Sequence, residues 1–433
     1  MFQKLKAYLA DLILFHNNRF DALDFWAISA IECLDQEVWR WCQFRHVKRI
    51  LRHAYKNVPY WRKMFDSLSI SPDEIRTIDD FSKLPILKKD IFRDQREEFD
   101  ADSWEKYAHT STTTSGSSGN PLIVRHEKHT SRRQRMFYMD YLRRSGLTDF
   151  RRFAHFFANR PNLLTLGFPS DFLLISKNFD SFCEFLSRER IQAISGMVNY
   201  FIQLGEHIER GKIALDLKFI QTAGENLSLP VRRWLESVFH CPVYNRYGCA
   251  EFGCLCIECG SHDGFHINVA HIFLEIVDQN GRPIYESDSP GKILVTTMSN
   301  KIMPLFRYDM GDFGEWMPGQ CQCGLKTPRI KLSGRDLNFL KLPGGRQFPV
   351  LSIIDFLANQ YAVIKKFQII QESLYKITLR VVTTPFYNFQ SDLFIIQTIR
   401  NMVGEGFLTV TVEITSSIPT LPNGKSRVFI SKL

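Results

Sequence analysis

No apolar run in this sequence approaches the ~18 residues that would span a bilayer, so no membrane-spanning helix is expected. The nearest stretch, Ala7 to Phe15, is interrupted by Asp11 and followed by His16-Asn17-Asn18-Arg19 rather than a small-residue cleavage site. It reads as an amphipathic helix that packs on the body or touches a membrane peripherally, not as a signal peptide. Without an export signal, a cytoplasmic location is expected and ten cysteines do not imply a disulfide framework. Internal repeats and low-complexity tracts are also absent. No nucleic-acid recognition motif accompanies the net charge of +9, part of which sits in Arg132-Arg133-Gln134-Arg135 and Arg143-Arg144, so no nucleic-acid partner is expected. That charge reads as solvated helix faces, or as attraction for anionic ligands. A phosphate-binding P-loop is missing too, because Gly119 is followed by Asn120-Pro121 and not by Gly-Lys-Ser/Thr.

What is present is enough for a large enzyme-like body. At 433 residues, 44% hydrophobic with 36 phenylalanines, the chain exceeds one compact core, and two or more domains are expected. Residues 1–100 read as mostly helical. The apolar spacing from Val38 to Leu51 is helical, Asn57-Val-Pro-Tyr-Trp61 breaks it, Ser71 caps a further helix, and Leu84-Pro-Ile-Leu87 turns into a short one. Residues 110–121 read as a hydroxyl- and glycine-rich loop, followed by a strand over Pro121–Arg125 and a basic helix from about 127 to 144. Between 150 and 330 apolar runs alternate with helical segments, which predicts an α/β sheet, and 272–316 reads as antiparallel strands. Past Gly334-Arg335 strands over 363–383 and 408–415 and a helix over 386–403 predict a small α+β domain. The boundary falls there, giving domains of 1–334 and 335–433.

Five segments carry candidate chemistry. Thr114, Ser115, Gly116, Ser117, Ser118 and Gly119 can wrap a polyphosphate, since glycines let backbone N–H groups approach an anion and hydroxyls donate to its oxygens. Gly224-Glu225 follows a predicted strand and can wall an adenine ring. Tyr247-Gly248-Cys-Ala-Glu251 places an aromatic ring, a glycine and a carboxylate at another strand end, and a carboxylate suits magnesium. Asp312 can accept from two ribose hydroxyls. Lys425 follows Pro422-Asn423-Gly424, a turn that projects its side chain.

In this order the segments resemble the adenylate-forming superfamily over residues 110–427, most of the chain. Within it, His53-Ala-Tyr-Lys-Asn-Val-Pro-Tyr-Trp61, Leu84-Pro-Ile-Leu-Lys88 and Gly264-Phe-His-Ile267 resemble the phenylacetate–CoA ligase branch, in the subgroup linked to capsule and exopolysaccharide biosynthesis. The resemblance implies a large adenylate-forming α/β domain with mixed sheets and a small mobile C-terminal domain carrying the catalytic lysine. It implies two steps: a carboxylate attacks the α-phosphorus of ATP to give acyl-adenylate and pyrophosphate, then a nucleophile, typically the thiol of CoA, displaces AMP. Ser115 to Gly119 would hold the β/γ-phosphates, Tyr247 pack on adenine, Glu251 hold Mg2+ and Asp312 bind ribose. Lys425 would bridge carboxylate and α-phosphate, and Arg335 mark the hinge. Where the superfamily carries Ser or Thr before the motif glutamate this chain has Ala250, and Asp336-Leu337-Asn338 replaces an acidic pair after the hinge. Transfer to an amine in place of CoA, or an inactive scaffold relative, are the alternative readings.

The cysteines form a separate pattern. Cys259, Cys321 and Cys323, with His262 or His266, supply N/S ligands for a tetrahedral zinc. Some members of the branch carry such a site, which implies Cys259, His266, Cys321 and Cys323 here, in a structural role. Cys254 and Cys256 read as packing residues.

Overall fold

The structure is a computed structural model that describes residues 30, 32–113, 122–156, 179–211, 213–335, 339–360, 363–404, 408–419 and 428–433. Helix α1 (Gln36–Asn57) buries Trp39, Cys42, His46, Val47, Ile50, Leu51 and Ala54, the three-and-four spacing that puts one stripe against the core. It stops at Val58, held extended at φ −119° and ψ 115°, because Pro59 disfavours helical backbone in the residue before it. Pro59 then opens α2 (Pro59–Leu68), where its missing N–H costs nothing. The helix expected after Ser71 is only a three-residue 3₁₀ turn, Pro72–Glu74. Its Ser71 N–H donates to Glu74 Oε1 at 2.8 Å, satisfying the turn without extending it.

The hydroxyl run expected in a loop is instead a strand up to Thr113. Strand β1 (His109–Thr113) pairs antiparallel with β2 (Ile123–Glu127), and α3 (Lys128–Arg144) follows directly. The next ten strands make one sheet: β3 (Phe153–Phe156), β4 (Ala193–Gly196), β5 (Phe219–Ala223), β6 (Val243–Cys249), β7 (Gly253–Glu258), β8 (Phe265–Ile267), β9 (Ile272–Val277), β10 (Gly291–Thr297), β11 (Tyr308–Trp316) and β12 (Arg329–Arg335). Their spatial order is β3-β4-β5-β6-β7-β8-β12-β11-β10-β9. The first four are parallel, and every later pairing is antiparallel.

Parallel strands need covered faces. On one face Ile194, Ile220 and Val243 pack with Phe201 and Leu204 of α4 (Val198–Glu209) and Leu235 and Phe239 of α5 (Leu229–Phe239). On the other, Phe153, Ala193 and Phe219 join Phe137 and Tyr138 of α3 in the larger core, which also takes in α1, α2 and the antiparallel strands.

Beyond β12 the chain builds a separate core. A hairpin of β13 (Phe339–Lys341) and β14 (Gln347–Pro349) turns at Gly344 and Gly345, both at positive φ. Helix α6 (Val350–Ala358) and α7 (Phe389–Val403) cover a sheet of β15 (Ile364–Ser373), β16 (Lys376–Thr383), β17 (Thr409–Ile414) and β18 (Phe429–Ser431), in the order β17-β16-β15-β18. Leu340, Ile353, Leu357, Ile369, Leu379, Ile395 and Ile399 fill the space between. The α/β body with a C-terminal α+β sheet is the fold expected from the sequence.

Candidate active site

Strand β6 ends in a tight reversal into β7, and the reversal carries Glu251. Two glycines permit it. A Cβ on Gly248 would lie 2.3 Å from the Gly253 carbonyl oxygen, and Gly253 sits at φ +72° against the Gln134 side chain. His126 of β2 meets the Ala250 carbonyl oxygen at 3.0 Å, pinning the turn from below. Burial pushes the His126 imidazole below its ordinary range, so it stays neutral.

Strand β11 crosses beside this turn and supplies two partners. The Tyr247 hydroxyl donates to Asp312 Oδ2 at 2.7 Å. The Tyr308 hydroxyl donates to Glu251 Oε1 at 3.0 Å. Burial, and then the neighbouring carboxylate, raises both phenols, so each remains a donor at neutral pH. Glu251 and Asp312 are themselves buried. Tyr247 and Glu251, on one turn, therefore meet Asp312, which is distant in the chain, in one place. Tyr308 joins them, although the sequence reading gave it no role. Positions 308 and 312 share a face on a period-two strand, and that spacing was the signal available.

Gly224 stands at φ +78° immediately after β5, the strand the sequence predicted before it, and β5 pairs with β6 beside Arg246-Tyr247. Glu225 is engaged by a neighbouring helix. It accepts from the Asn199 backbone N–H at 3.0 Å and from Asn199 Nδ2 at 2.8 Å, at the start of α4. A carboxylate there complements the positive end of the helix. Backbone pairing sets Arg335 opposite Asp312. Thr114, Ser115, Gly116, Ser117, Ser118, Gly119 and Lys425 lie outside the described residues, as do Asp336 to Asn338.

A second cluster sits at the other end of β7. Cys259 follows that strand, His266 is in β8, and Cys321 and Cys323 lie between β11 and β12; their ligating atoms all fall within 4.8 Å of one another. Cys259 Sγ is 3.4 Å from Cys321 Sγ, and Cys323 Sγ is 3.3 Å from His266 Nε2. His266 Nδ1 meets Thr327 Oγ1 at 2.9 Å, which orients the ring and leaves Nε2 facing the thiols. Burial and the Arg329 charge hold the imidazole down at about 4. Three thiols and a neutral imidazole suit zinc by donor softness and number. His262, the rival ligand, is engaged elsewhere. Its Nδ1 lies 2.7 Å from Arg232 Nη1, and its ring stacks on Tyr244. Cys254 and Cys256 are buried packing residues, as expected.

Residues 350–432 match the family described as the CapK C-terminal domain. Phenylacetate–coenzyme A ligase of Aromatoleum evansii is 24% identical over 339 residues, 74% of this chain and 76% of that protein. The same enzyme of Thermus thermophilus is 23% identical over 397 residues, 82% of this chain and 84% of that protein. A solved 2-hydroxyisobutyryl-CoA ligase in the postadenylation state, in complex with 2-HIB-AMP, superposes with a TM-score of 0.78 at 17% identity, over 92% of this chain and 90% of that one. The resemblance expected from the motifs is thus met by relatives along most of the chain, and they are CoA ligases.

Proposed function

We propose that this chain is an ATP-dependent acid–thiol ligase that forms an acyl-adenylate and then passes the acyl group to CoA. The observation that carries this reading is the contact of Tyr247 with Asp312 at 2.7 Å, beside Glu251 held by Tyr308 at 3.0 Å. The Tyr247 ring offers a face for adenine, and Asp312 offers carboxylate oxygens to ribose hydroxyls. Glu251 would hold Mg2+, whose charge would offset that developing on the phosphates. Tyr308 and the pinned turn fix that carboxylate in advance, so little reorganisation accompanies reaction. Ser115 to Gly119 would grip the β/γ-phosphates and Lys425 bridge the acid and the α-phosphate. Positioning and charge supply most of the acceleration in phosphoryl-type transfers of this kind.

The chain divides at Arg335 into a large domain and a small one that rotates between the two steps. Cys259, His266, Cys321 and Cys323 would hold a structural zinc closing the distal end of β7 and β8. All ten cysteines are unbridged, which suits a cytoplasmic protein. The CapK-type C-terminal match supports a setting in capsule or exopolysaccharide biosynthesis. Among the described residues no helix is long and apolar enough to cross a membrane.

The test is pyrophosphate release from ATP and magnesium across a panel of aryl, aliphatic and amino acids, with and without CoA. Release that depends on one acid, with turnover that requires CoA, is the expected result. Acid-dependent release indifferent to CoA would remove the ligase step. ATP binding without release on any acid would remove the adenylation step.

A further inference from the structure

Side chains on the α3-facing side of the parallel strands form a polar row. Backbone pairing lines up His155 of β3, Ser195 of β4 and Gln221 of β5 across the sheet. One same-face position further toward the strand ends, Ala223 pairs with Arg246 of β6. Ligands of open α/β sheets bind beyond those carboxyl ends.

The row is rich in donors. The Gln221 side-chain oxygen accepts from Ser195 Oγ at 3.1 Å and also from the Tyr138 hydroxyl. Its amide nitrogen is therefore the end left over; it is buried beside the Tyr141 hydroxyl, and no described residue accepts from it within hydrogen-bond distance. The Arg246 guanidinium lies over the Tyr138 ring, 5.0 Å from its centroid, and beside the Cys254 thiol. No described carboxylate pairs with it. Glu258, which accepts from the adjacent Asn245 N–H at 2.8 Å, is already clamped by Arg232 through two contacts of 2.7 Å. The Arg246 charge also reaches His155, whose imidazole is held at about 3 by burial and by that arginine. Tyr138 thus joins two donors that no described carboxylate meets, one of them a half-buried cation, in the residue next to Tyr247. A purely apolar acid would leave both unmet, at a cost in binding.

We propose that the acid activated here carries a second carboxylate, received by Arg246 with the Gln221 amide, so that the substrate is a dicarboxylic acid. This rests on the adenylating role proposed above and names the substrate class of that site. The reacting carboxylate meets the Tyr247–Glu251 turn, while the distal one is held under α3.

The experiment compares diacids from malonate to adipate with monoacids of matched length, in wild type, Arg246→Met and Arg246→Lys. Two readouts are taken, the shift of the thermal unfolding midpoint on binding and ATP-dependent pyrophosphate release. Wild type should prefer a diacid, and Arg246→Met should lower the diacid-to-monoacid ratio of kcat/KM by about 100-fold, the scale of a lost charge-assisted pair. Arg246→Lys should recover part of it by restoring the charge. A diacid that shifts the midpoint of wild type but not of Arg246→Met upholds the site even where no pyrophosphate appears, and then it is the adenylating role that fails. Pyrophosphate release on monoacids alone, a midpoint insensitive to every diacid, or an unchanged ratio in Arg246→Met overturns the inference.

Discussion

Replacing Thr327 by Val is the sharpest probe of the proposed zinc centre, because it touches none of the four ligands. The Thr327 hydroxyl oxygen lies 2.9 Å from His266 Nδ1, on the far side of the ring from Cys323 Sγ at 3.3 Å. With a metal on Nε2, Nδ1 carries the ring proton and this hydroxyl oxygen is placed to accept it. Valine has nearly the same shape, and Thr327 is buried, so packing should survive while the acceptor is lost. The Nδ1–H is then left unpaired, or the proton moves to Nε2 and blocks ligation. Loss of such an outer partner typically weakens metal binding about 10–100-fold. That is about 1.4–2.7 kcal/mol, which at a fixed free zinc concentration well above both dissociation constants also appears as lost folding stability. The assay is zinc competition against a chromogenic chelator, with Thr327→Ser and His266→Ala as brackets. Thr327→Ser should bind like wild type, and His266→Ala should lose tight binding. Equal affinity in Thr327→Val and wild type, or wild-type protein that neither contains nor takes up zinc, would refute the reasoning.

Three further outcomes are expected. Lys425→Ala should abolish pyrophosphate release while ATP binding persists; retained release would remove the lysine from the first step. Glu258→Gln strands the buried Arg232 charge, so the urea midpoint should fall by an amount worth about 3–5 kcal/mol, whereas Arg232→Met with Glu258→Leu should recover much of that loss. A double variant as unstable as the sum of the single changes would contradict this. Burial holds the His271 imidazole at about 3, against an ordinary value of 6.5. Between those values the unfolded chain binds a proton that the folded one refuses, so this group makes stability fall as pH drops from about 6.5 toward 3. His271→Gln should show a shallower fall over that window in urea titrations, and an identical slope would overturn the assignment.

What the sequence made legible was whatever is written in local pattern. The three-and-four spacing from Trp39 to Ala54, the break before Pro59 and the alternating runs around Ile194, Ile220 and Val243 all became the expected elements. Hydroxyl content at Thr110–Thr113 was misread as loop chemistry, because pairing with Ile123–Val124-Arg125-His126 is a tertiary choice that composition does not encode. The Ser71 helix failed for a similar reason, since a satisfied cap starts a turn but cannot supply the apolar stripe that lengthens it. At the site, residue types singled out Tyr247, Glu251 and Asp312, and Cys259, His266, Cys321 and Cys323, which the fold gathers into two clusters. They could not tell that Asn199 would engage Glu225 while Tyr308 engages Glu251, or that Arg232 would take His262 away from the cysteines.

The N-terminal motifs that marked the resemblance have a mechanical reading. Leu87 N–H donates to the Arg307 carbonyl at 3.0 Å, and Asp309 N–H donates to the Leu87 carbonyl at 2.9 Å, so the Leu84–Leu87 segment is laid along the start of β11. Arg307, buried and held at φ 45°, extends its guanidinium to the carbonyls of Ser82 at 3.0 Å, Leu84 at 2.8 Å and Gly281 at 2.6 Å, and to Glu275 at 3.2 Å. Trp61 of the first motif donates to the Pro304 carbonyl at 2.8 Å and packs on Phe306. These contacts converge on residues 304–309, immediately before and within the strand that carries Tyr308 and Asp312. A left-handed arginine is strained backbone, tolerated where surrounding bonds over-determine it. Here four acceptors from three separate segments do so. The motifs therefore need not touch substrate. Their work is to fix the register and tilt of β11, and through Tyr308 and Asp312 the carboxylate of Glu251 and the ring of Tyr247.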